Sequence, residues 1–242
     1  MKPEKILFLD IETVPQTATL DRMPRELIHL WDEKTTQMMK RIPDRYPPET
    51  TAESNFREAG IFAEFGRIVC ISAGYLYPKN NEWYFRVKSF YNDDEKQLLT
   101  DFAGLLKRFC NDPESNICGH NVKEFDIPFI ARRMLILGVP LPSILNIQGK
   151  KPWECKFLDT LEMWKFGDYK HYTSLKLLCA VFGIPTPKDD IDGSQIYQVY
   201  YHEKNIDRIA LYCEKDVVAT MQVFMRMSGL PVIKEENVEH VN

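Results

Sequence analysis

The arrangement of apolar and polar positions along the chain changes period several times, and each period predicts an element. Residues 6–9 form a continuous apolar run, which is typical of a strand covered on both faces, although the pattern alone also fits a buried helix segment. Two further runs rich in β-branched and aromatic residues, 66–76 and 82–91, are separated by the turn sequence PKNN. They predict an antiparallel hairpin.

Helical spacing dominates the rest of the chain. Residues 93–110 repeat apolar side chains every three or four positions, and Asp93 or Asp94 can cap the start of this helix. The same spacing predicts helices over 127–138, 174–185 and 206–229. A short strand is expected at 116–121, whereas 155–164 fits either a strand or a short helix. This order predicts a mixed α/β sheet with antiparallel first strands and with helices on its faces.

A polar, helix-rich stretch at residues 16–60 interrupts this order. Within it, 25–42 predicts an amphipathic helix with an apolar face of Leu27, Leu30, Trp31, Met38 and Ile42. We interpret 16–60 as an insertion that could cover a site. The length of 242 residues fits one large domain or two small ones. We expect a single domain over 1–230, followed by a flexible polar tail over 231–242.

Composition narrows the classes of function only slightly. The chain is 44% hydrophobic and 27% charged, and its 31 basic and 35 acidic residues give a net charge of -4. This charge does not indicate a nucleic-acid-binding protein, yet an acidic site can meet phosphate through bound metal ions. A glycine-rich phosphate loop is missing from the sequence, which argues against a P-loop or dinucleotide-binding enzyme.

The cysteines and the apolar runs bear on the compartment. Six cysteines are scattered without a C-x-x-C pair, so we expect buried free thiols and no zinc site. The sequence shows neither a signal-peptide pattern nor an apolar run of membrane-spanning length. We therefore expect a cytoplasmic protein without a membrane partner.

The first predicted strand runs directly into two acids, Asp10 and Glu12. Side chains alternate along a strand, so both carboxylates point to the same face, where they repel each other. A proton or a hard divalent cation such as Mg²⁺ would relieve this repulsion. The alternative is a strand end at which both acids simply face water.

Two later stretches place further acids beside predicted helices. Asp126 stands at the start of a helix, five residues after Asn121, and Pro128 in the first turn is compatible with a simple capping role. Tyr212 and Asp216 are four residues apart in the last helix and therefore share one face. Each of these features is common in proteins that have no active site.

Together, these motifs resemble those of a known family. D-x-E on the first strand, N-x-x-x-F-D before a central helix and Y-x-x-x-D in a late helix resemble the DEDD 3′–5′ exonucleases, which share the ribonuclease H-like fold. The tyrosine is that of the DEDDy subgroup; the sister subgroup would carry histidine at the position of Leu211. The sequences of the motifs and of the segments between them are most similar to those of the predicted 3′–5′ exonucleases related to the proofreading domain of family B DNA polymerases. The resemblance spans residues 5–227 and includes FLDIETVP, GHNVKEFDIPFIARR, SLKLLCAVFGIP, DGSQIY and YCEKDVVAT.

The resemblance implies a two-metal site holding Mg²⁺ or Mn²⁺. Asp10, Glu12, Asp126 and Asp216 match the four metal-binding carboxylates of the family. Asp10 would bridge both ions, Glu12 and Asp216 would hold the ion that activates water, and Asp126 would reach the other ion. Tyr212 matches the tyrosine that positions the water, and a phenol with an ordinary pKa near 10 is a poor general base.

The resemblance also implies residues around the metal site. Asn121, Phe125 and Thr13 would bind the terminal nucleotide. Asp159 fits a recurrent supporting acid of the polymerase-like members, although a cap or surface acid explains it as well. Lys188 lies where relatives have a glycine-lysine turn, but here Pro187 precedes it.

Aromatic and basic residues elsewhere could contact a frayed strand. Candidates for stacking on bases are Phe125, Phe129, Trp164 and Tyr169. Candidates for phosphate contacts are Arg132, Arg133, Lys165 and Lys170. Core packing and an ordinary charged surface are the competing interpretations of these two sets.

The sequence thus predicts a metal-dependent 3′–5′ exonuclease that acts on nucleic acid, with the 3′ end of single-stranded DNA as the favoured substrate and RNA as a possible one. Two alternatives stay open: an RNA 3′-end exoribonuclease of the same fold, and a catalytically idle nucleic-acid-binding module. Protein partners cannot be inferred from the sequence.

Overall fold

The sheet is built on the strand that carries the first two acids. The computed structural model describes residues 2–185 and 191–241. Its strands are β1 (Ile6–Pro15), β2 (Gly66–Lys79), β3 (Glu82–Tyr91), β4 (Asn116–Gly119), β5 (Phe157–Asp159) and β6 (Val238–His240). Within the described residues, they form one sheet in the order β5-β4-β1-β2-β3-β6. β1, β2 and β3 pair antiparallel, whereas β4 is parallel to β1, β5 to β4 and β6 to β3.

Helices cover both faces of this sheet. They are α1 (Arg25–Arg41), α2 (Glu95–Phe109), α3 (Asp126–Leu137), α4 (Thr160–Lys165), α5 (Leu175–Phe182), α6 (Ile196–Gln198) and α7 (Ile206–Met227). A π-helical turn follows at Val199–Glu203, and short 3₁₀ turns lie at Pro3–Lys5, Leu20–Arg22, Phe56–Ile61, Pro152–Glu154, Gly193–Gln195 and Glu235–Asn237. The helices predicted from apolar spacing are confirmed, and the ambiguous stretch 155–164 contains both β5 and α4.

The apolar run in β1 is buried on both faces, as the sequence predicts. Leu7 and Leu9 pack with α2 and α3 on one side of the sheet. Ile6 and Phe8 pack with α7 on the other side. This mixed sheet with an antiparallel β1-β2-β3 unit is consistent with the ribonuclease H-like fold that the resemblance implies.

The 16–60 segment has a small core of its own. Trp31 of α1 is fully buried there, and its indole nitrogen donates a hydrogen bond to the Ala52 carbonyl oxygen at 2.9 Å. The aromatic ring packs against Phe56 and Phe65. Leu30 and Ile42 are exposed, so the predicted apolar face of α1 is wrong at these two positions.

The C-terminal segment differs from the flexible tail predicted over 231–242. The side-chain amide of Gln222 donates to the Ile233 carbonyl oxygen at 2.6 Å and accepts from the Ile233 N–H at 2.8 Å. Val238 then pairs with Phe85, which places β6 beside β3. Buried apolar contacts made by Ile233 and this backbone pairing order the segment.

The cysteines agree with the expectation of free thiols. Cys70, Cys118, Cys179 and Cys213 are buried, whereas Cys110 and Cys155 are half-buried. None of the helices in the described part of the chain combines the length and the apolar character that crossing a membrane requires.

Candidate active site beside the bulge of the first strand

Asp10 and Glu12 lie on the face of β1 that packs against α7. Asp10 is opposite Ser72 and Glu12 opposite Cys70, and the pairing register shifts immediately after Glu12. Such a bulge interrupts regular pairing and redirects the strand, which is common beside functional sites. Side-chain oxygens of both acids and the Cys213 thiol lie within 4.8 Å of one another. Glu12 is buried, so the picture of two acids facing water does not hold.

Asp126 joins this cluster from the first turn of α3. Its Oδ1 accepts a hydrogen bond from the backbone N–H of Ile11 at 3.1 Å. Ile11 lies between Asp10 and Glu12, so this bond fixes the start of α3 against the acidic end of β1. Asp126 is buried and is the first helical residue, whereas the N-cap position belongs to Phe125. Asp126 is therefore more than an ordinary exposed helix cap.

The loop that leads to Asp126 is organised by Asp159. This buried carboxylate accepts hydrogen bonds from the backbone N–H groups of Asn121 at 2.9 Å and Lys123 at 3.1 Å. It also accepts from the N–H of Leu161 at 3.0 Å, and so caps α4. Asn121 has a left-handed backbone with φ of 63°. Asp159 thus has both roles that the sequence left open, as a cap and as support for the loop beside the cluster.

Helix α7 brings three more groups to the cluster. The Cys213 thiol donates to the backbone oxygen of Asp10 at 3.4 Å and to its Oδ2 at 3.5 Å. The charge of the Asp216 carboxylate contributes to raising the pKa values of Asp10 and Glu12, so Asp216 lies within electrostatic range of both acids. Tyr212 is half-buried on the same helical face and forms a hydrogen bond with Asp216.

Burial and mutual repulsion govern the protonation of this cluster. Burial, followed by the charges of Asp126, Glu12 and Asp216, raises the pKa of Asp10 well above its usual range. Burial and the charge of Asp216 do the same to the pKa of Glu12. Burial raises the pKa of Asp126 to about 7, against the opposing effect of the Ile11 N–H. The acids would be stabilised by any cation that entered their midst.

The donor set fits a hard divalent cation. Carboxylate oxygens are the preferred ligands of Mg²⁺ and Mn²⁺. The soft ligand here is the thiol of Cys213, and burial raises its pKa well above the usual value. This thiol therefore stays protonated and acts as a hydrogen-bond donor to Asp10. Asp10, Glu12, Asp126 and Asp216 are the residues that could hold the metal.

Not every predicted stacking residue is accessible to a base. Phe129 is buried in the core and Trp164 packs edge-on against Phe182, with 5.5 Å between the ring centroids. Phe125 is half-buried against Phe129. Tyr169, by contrast, is exposed.

The basic residues predicted to contact phosphate also differ in their exposure to solvent. Arg133 is buried in an ion pair with Glu95, so the prediction of a phosphate contact is wrong for this residue. Arg132 and Lys170 are exposed, and Lys165 is half-buried. Thr13 is half-buried directly after the β1 bulge. Lys188 lies outside the described residues.

Cys213 is the member of the cluster that the sequence interpretation missed. In the sequence it resembles the other scattered cysteines, yet it precedes Asp216 by three residues in a predicted helix. That spacing places both side chains on one helical face. The signal was therefore present in the sequence.

A ribonuclease H-like sheet with acids gathered beside the bulge of its first strand defines the general class of the protein. Within this class, the model of the predicted 3′-5′ exonucleases related to the exonuclease domain of PolB matches residues 61–237. This match covers well over half of the chain, and the chain belongs to that family. No curated protein matches the chain.

The family match includes Asp126, Tyr212 and Asp216 but begins after Asp10 and Glu12. Asp10 and Glu12 are assigned to the same site because they lie close to Asp126 and Asp216 in the structure. Membership implies a nucleic-acid substrate.

Proposed function

We propose that the protein is a metal-dependent 3′–5′ exonuclease that hydrolyses nucleotides from the 3′ end of single-stranded DNA. One observation carries this proposal: Asp10, Glu12 and Asp126 lie together beside the face of α7 that carries Asp216. Acids that are buried together and raise one another's pKa values form an unfavourable arrangement without a cation. Family membership supplies the reaction type.

The four carboxylates would hold two divalent cations, Mg²⁺ or Mn²⁺. When bound, such ions supply an activated water, a neutralised phosphate and a stabilised leaving 3′ oxygen. In this assignment Asp10 contributes to both ions, Glu12 and Asp216 to one of them, and Asp126 to the other. The strand bulge, the Ile11 hydrogen bond and the α7 face support it by fixing the carboxylates.

Tyr212 would orient the attacking water through its hydroxyl group. Burial and the charges of Asp216 and Glu12 raise the pKa of Tyr212, so the phenol keeps its proton. It can therefore form a hydrogen bond with the water while it donates to Asp216, but it cannot act as the general base. Asn121, Phe125 and Thr13 would contact the terminal nucleotide from the loop before α3 and from the end of β1.

We further propose that residues 1–230 act as one exonuclease domain, with 16–60 as an insertion and with β6 completing its sheet, and that the protein is cytoplasmic. The free thiols are compatible with a reducing compartment.

The decisive experiment is a time course on a 5′-labelled single-stranded DNA with Mg²⁺ or Mn²⁺, with RNA of the same sequence in parallel. We expect a ladder that shortens from the 3′ end and disappears with EDTA or with Asp10→Ala. Asp101→Asn, which changes an exposed acid on α2, serves as the matched control and should keep full activity. Intact DNA and RNA after incubation with the folded wild-type protein and either metal would refute the proposal.

A further inference from the structure

The loop between α4 and α5 presents three aromatic rings to solvent. Phe166 is 92% exposed, Tyr169 79% and Tyr172 67%. We refer to residues 166–172 as the aromatic loop. Phe166 ends α4 in a left-handed conformation with φ of 43°, which is strained for a bulky residue. Large apolar groups gathered in water are unfavourable, and such patches mark binding surfaces.

Positive charges are interleaved with these rings. The Lys165 ammonium group lies 5.6 Å from the centroid of the Tyr169 ring. Lys170 follows in the exposed part of the loop, and its backbone N–H donates to the side chain of Asp168 at 3.0 Å. The acid of the loop is thus used to shape the turn. Exposed rings next to lysines form the combination that binds single-stranded nucleic acid, through base stacking and phosphate attraction.

The aromatic loop is anchored beside the candidate active site. His120 lies directly before Asn121, and its Nε2 donates a hydrogen bond to the Thr173 carbonyl oxygen at 3.0 Å. The Tyr172 ring packs edge-on against His120 with 6.2 Å between the centroids. Burial, followed by the charges of Asp159 and Asp126, raises the pKa of Tyr172. The loop therefore borders the segment that leads to Asp126.

We propose that the aromatic loop binds the single-stranded nucleic acid upstream of its 3′ end, with bases stacked on Phe166, Tyr169 and Tyr172. The direction of the strand rests on the proposed function, whereas binding itself does not require hydrolysis. The interleaved lysines and the continuity with the carboxylate cluster favour nucleic acid over a protein partner as the occupant.

The chain contains a matched control for this surface. Trp153 is 77% exposed, and the Lys151 ammonium group lies 5.2 Å from its ring centroid. This pair precedes the start of β5, whereas the aromatic loop follows α4 beyond the end of that strand. Trp153→Ala thus removes an exposed ring beside a lysine without touching the aromatic loop.

The first test measures the affinity for a 5′-fluorescein single-stranded DNA by fluorescence anisotropy. Ca²⁺ replaces Mg²⁺, and the DNA is checked for integrity afterwards. We expect Phe166→Ala/Tyr169→Ala/Tyr172→Ala to raise the Kd at least about 100-fold, since the stacking of three bases is lost. Tyr169→Phe/Tyr172→Phe keeps the rings and should bind like the wild type, as should Trp153→Ala. An unchanged Kd in the triple variant would overturn the proposal.

The second test separates the aromatic loop from the chemistry. We compare hydrolysis of the oligonucleotide with hydrolysis of the p-nitrophenyl ester of thymidine 5′-monophosphate, which is too short to reach the loop. The triple variant should show a raised KM for the oligonucleotide and unchanged rates on the ester. An equal loss on both substrates would contradict the proposal and indicate a structural role.

If the wild type cleaves neither substrate, the proposed function fails, while the anisotropy measurement still decides the role of the aromatic loop. A triple variant that binds DNA normally but changes its oligomeric state would assign the loop to a protein contact instead.

Discussion

Helix α3 carries two buried charged residues seven positions apart, and they are accommodated in opposite ways. Arg133 donates from Nε and Nη2 to the Glu95 carboxylate at 2.9 and 2.7 Å, and from Nη1 to the Ala63 carbonyl oxygen at 2.9 Å. Glu95 also accepts from the Ile68 N–H at 2.8 Å. Asp126, two turns earlier, instead contributes with other acids to a cluster of like charge.

This difference separates a structural charge from a functional one. A buried ion pair offsets its desolvation only when hydrogen bonds satisfy both partners, as they do for Arg133 and Glu95. The carboxylates near Asp126 repel one another, and the fold nevertheless holds them together. Such an arrangement is expected where an external cation completes the site.

Asp10→Asn should have the largest effect and would test the functional half of this comparison. We expect exonuclease activity to fall at least about 1,000-fold, since loss of metal-mediated charge stabilisation costs several kcal/mol. The unfolding temperature of the metal-free protein should stay the same or rise, because one repelling charge is gone. Activity and thermal unfolding are measured on the same preparation. A near-wild-type rate would remove Asp10 from the site.

Arg133→Met would test the structural half. It leaves Glu95 buried without its cation, and we expect a loss of about 3–5 kcal/mol in the free energy of unfolding. Exonuclease activity of the folded fraction should be retained. Urea unfolding measures the loss, and Arg133→Met/Glu95→Leu should recover most of it. Equal stability of the single variant and the wild type would contradict this account.

The pH dependence of stability sharpens the contrast between the two regions. The pKa of Asp126 is raised to about 7 in the folded protein, whereas it is about 3.9 in the unfolded chain. Asp126 therefore contributes its full stabilisation below about pH 4, and this contribution is lost as the pH rises to about 7. Metal-free protein should therefore lose stability between about pH 4 and pH 7. Mn²⁺ should raise the Tm more at about pH 8 than at about pH 6, since it replaces the lost protons.

Thermal unfolding across this pH range, with and without Mn²⁺, provides the measurement. Asp126→Asn should flatten both dependences, and Arg133→Met should leave their shape unchanged. A Tm shift by Mn²⁺ that is independent of pH would argue against carboxylates as the binding groups.

Tyr212→Phe should have the smallest effect. It removes the hydroxyl but keeps the ring, and loss of one hydrogen bond to the water should lower kcat about 10-fold. KM should stay unchanged, because the terminal nucleotide has other contacts. The measurement is steady-state hydrolysis of labelled DNA. A loss as large as that of Asp10→Asn would give Tyr212 a larger role than orienting the water.

Local pattern predicted most of the fold. The run at residues 6–9 favoured a strand, because burial on both faces requires continuous apolar sequence, and the structure decides for the strand over a buried helix segment. Alternation along that strand also placed Asp10 and Glu12 together. These inferences depend on periods of two and 3.6 residues, which the sequence displays directly.

Contacts between distant segments were not predictable in this way. The sequence around Arg133 fits a phosphate ligand equally well, because nothing near this residue in the chain points to Glu95. Leu30 is exposed because the side of α1 that carries Trp31 packs against Phe56 and Phe65, which lie far away in the sequence. The β6 pairing follows the contact between the Gln222 side-chain amide and the Ile233 backbone, which nothing in the local sequence indicates.

The pairing of β6 with β3 also bears on whether copies of the molecule associate through their sheet edges. An unpaired strand edge is a template for association with another chain. Val238–His240 covers β3 at Phe85, Arg86 and Val87, and Arg86 is further held by the Glu239 carboxylate at 2.7 Å. A chain cut at residue 230 would uncover this part of the β3 edge, so we expect it to aggregate edge to edge more readily.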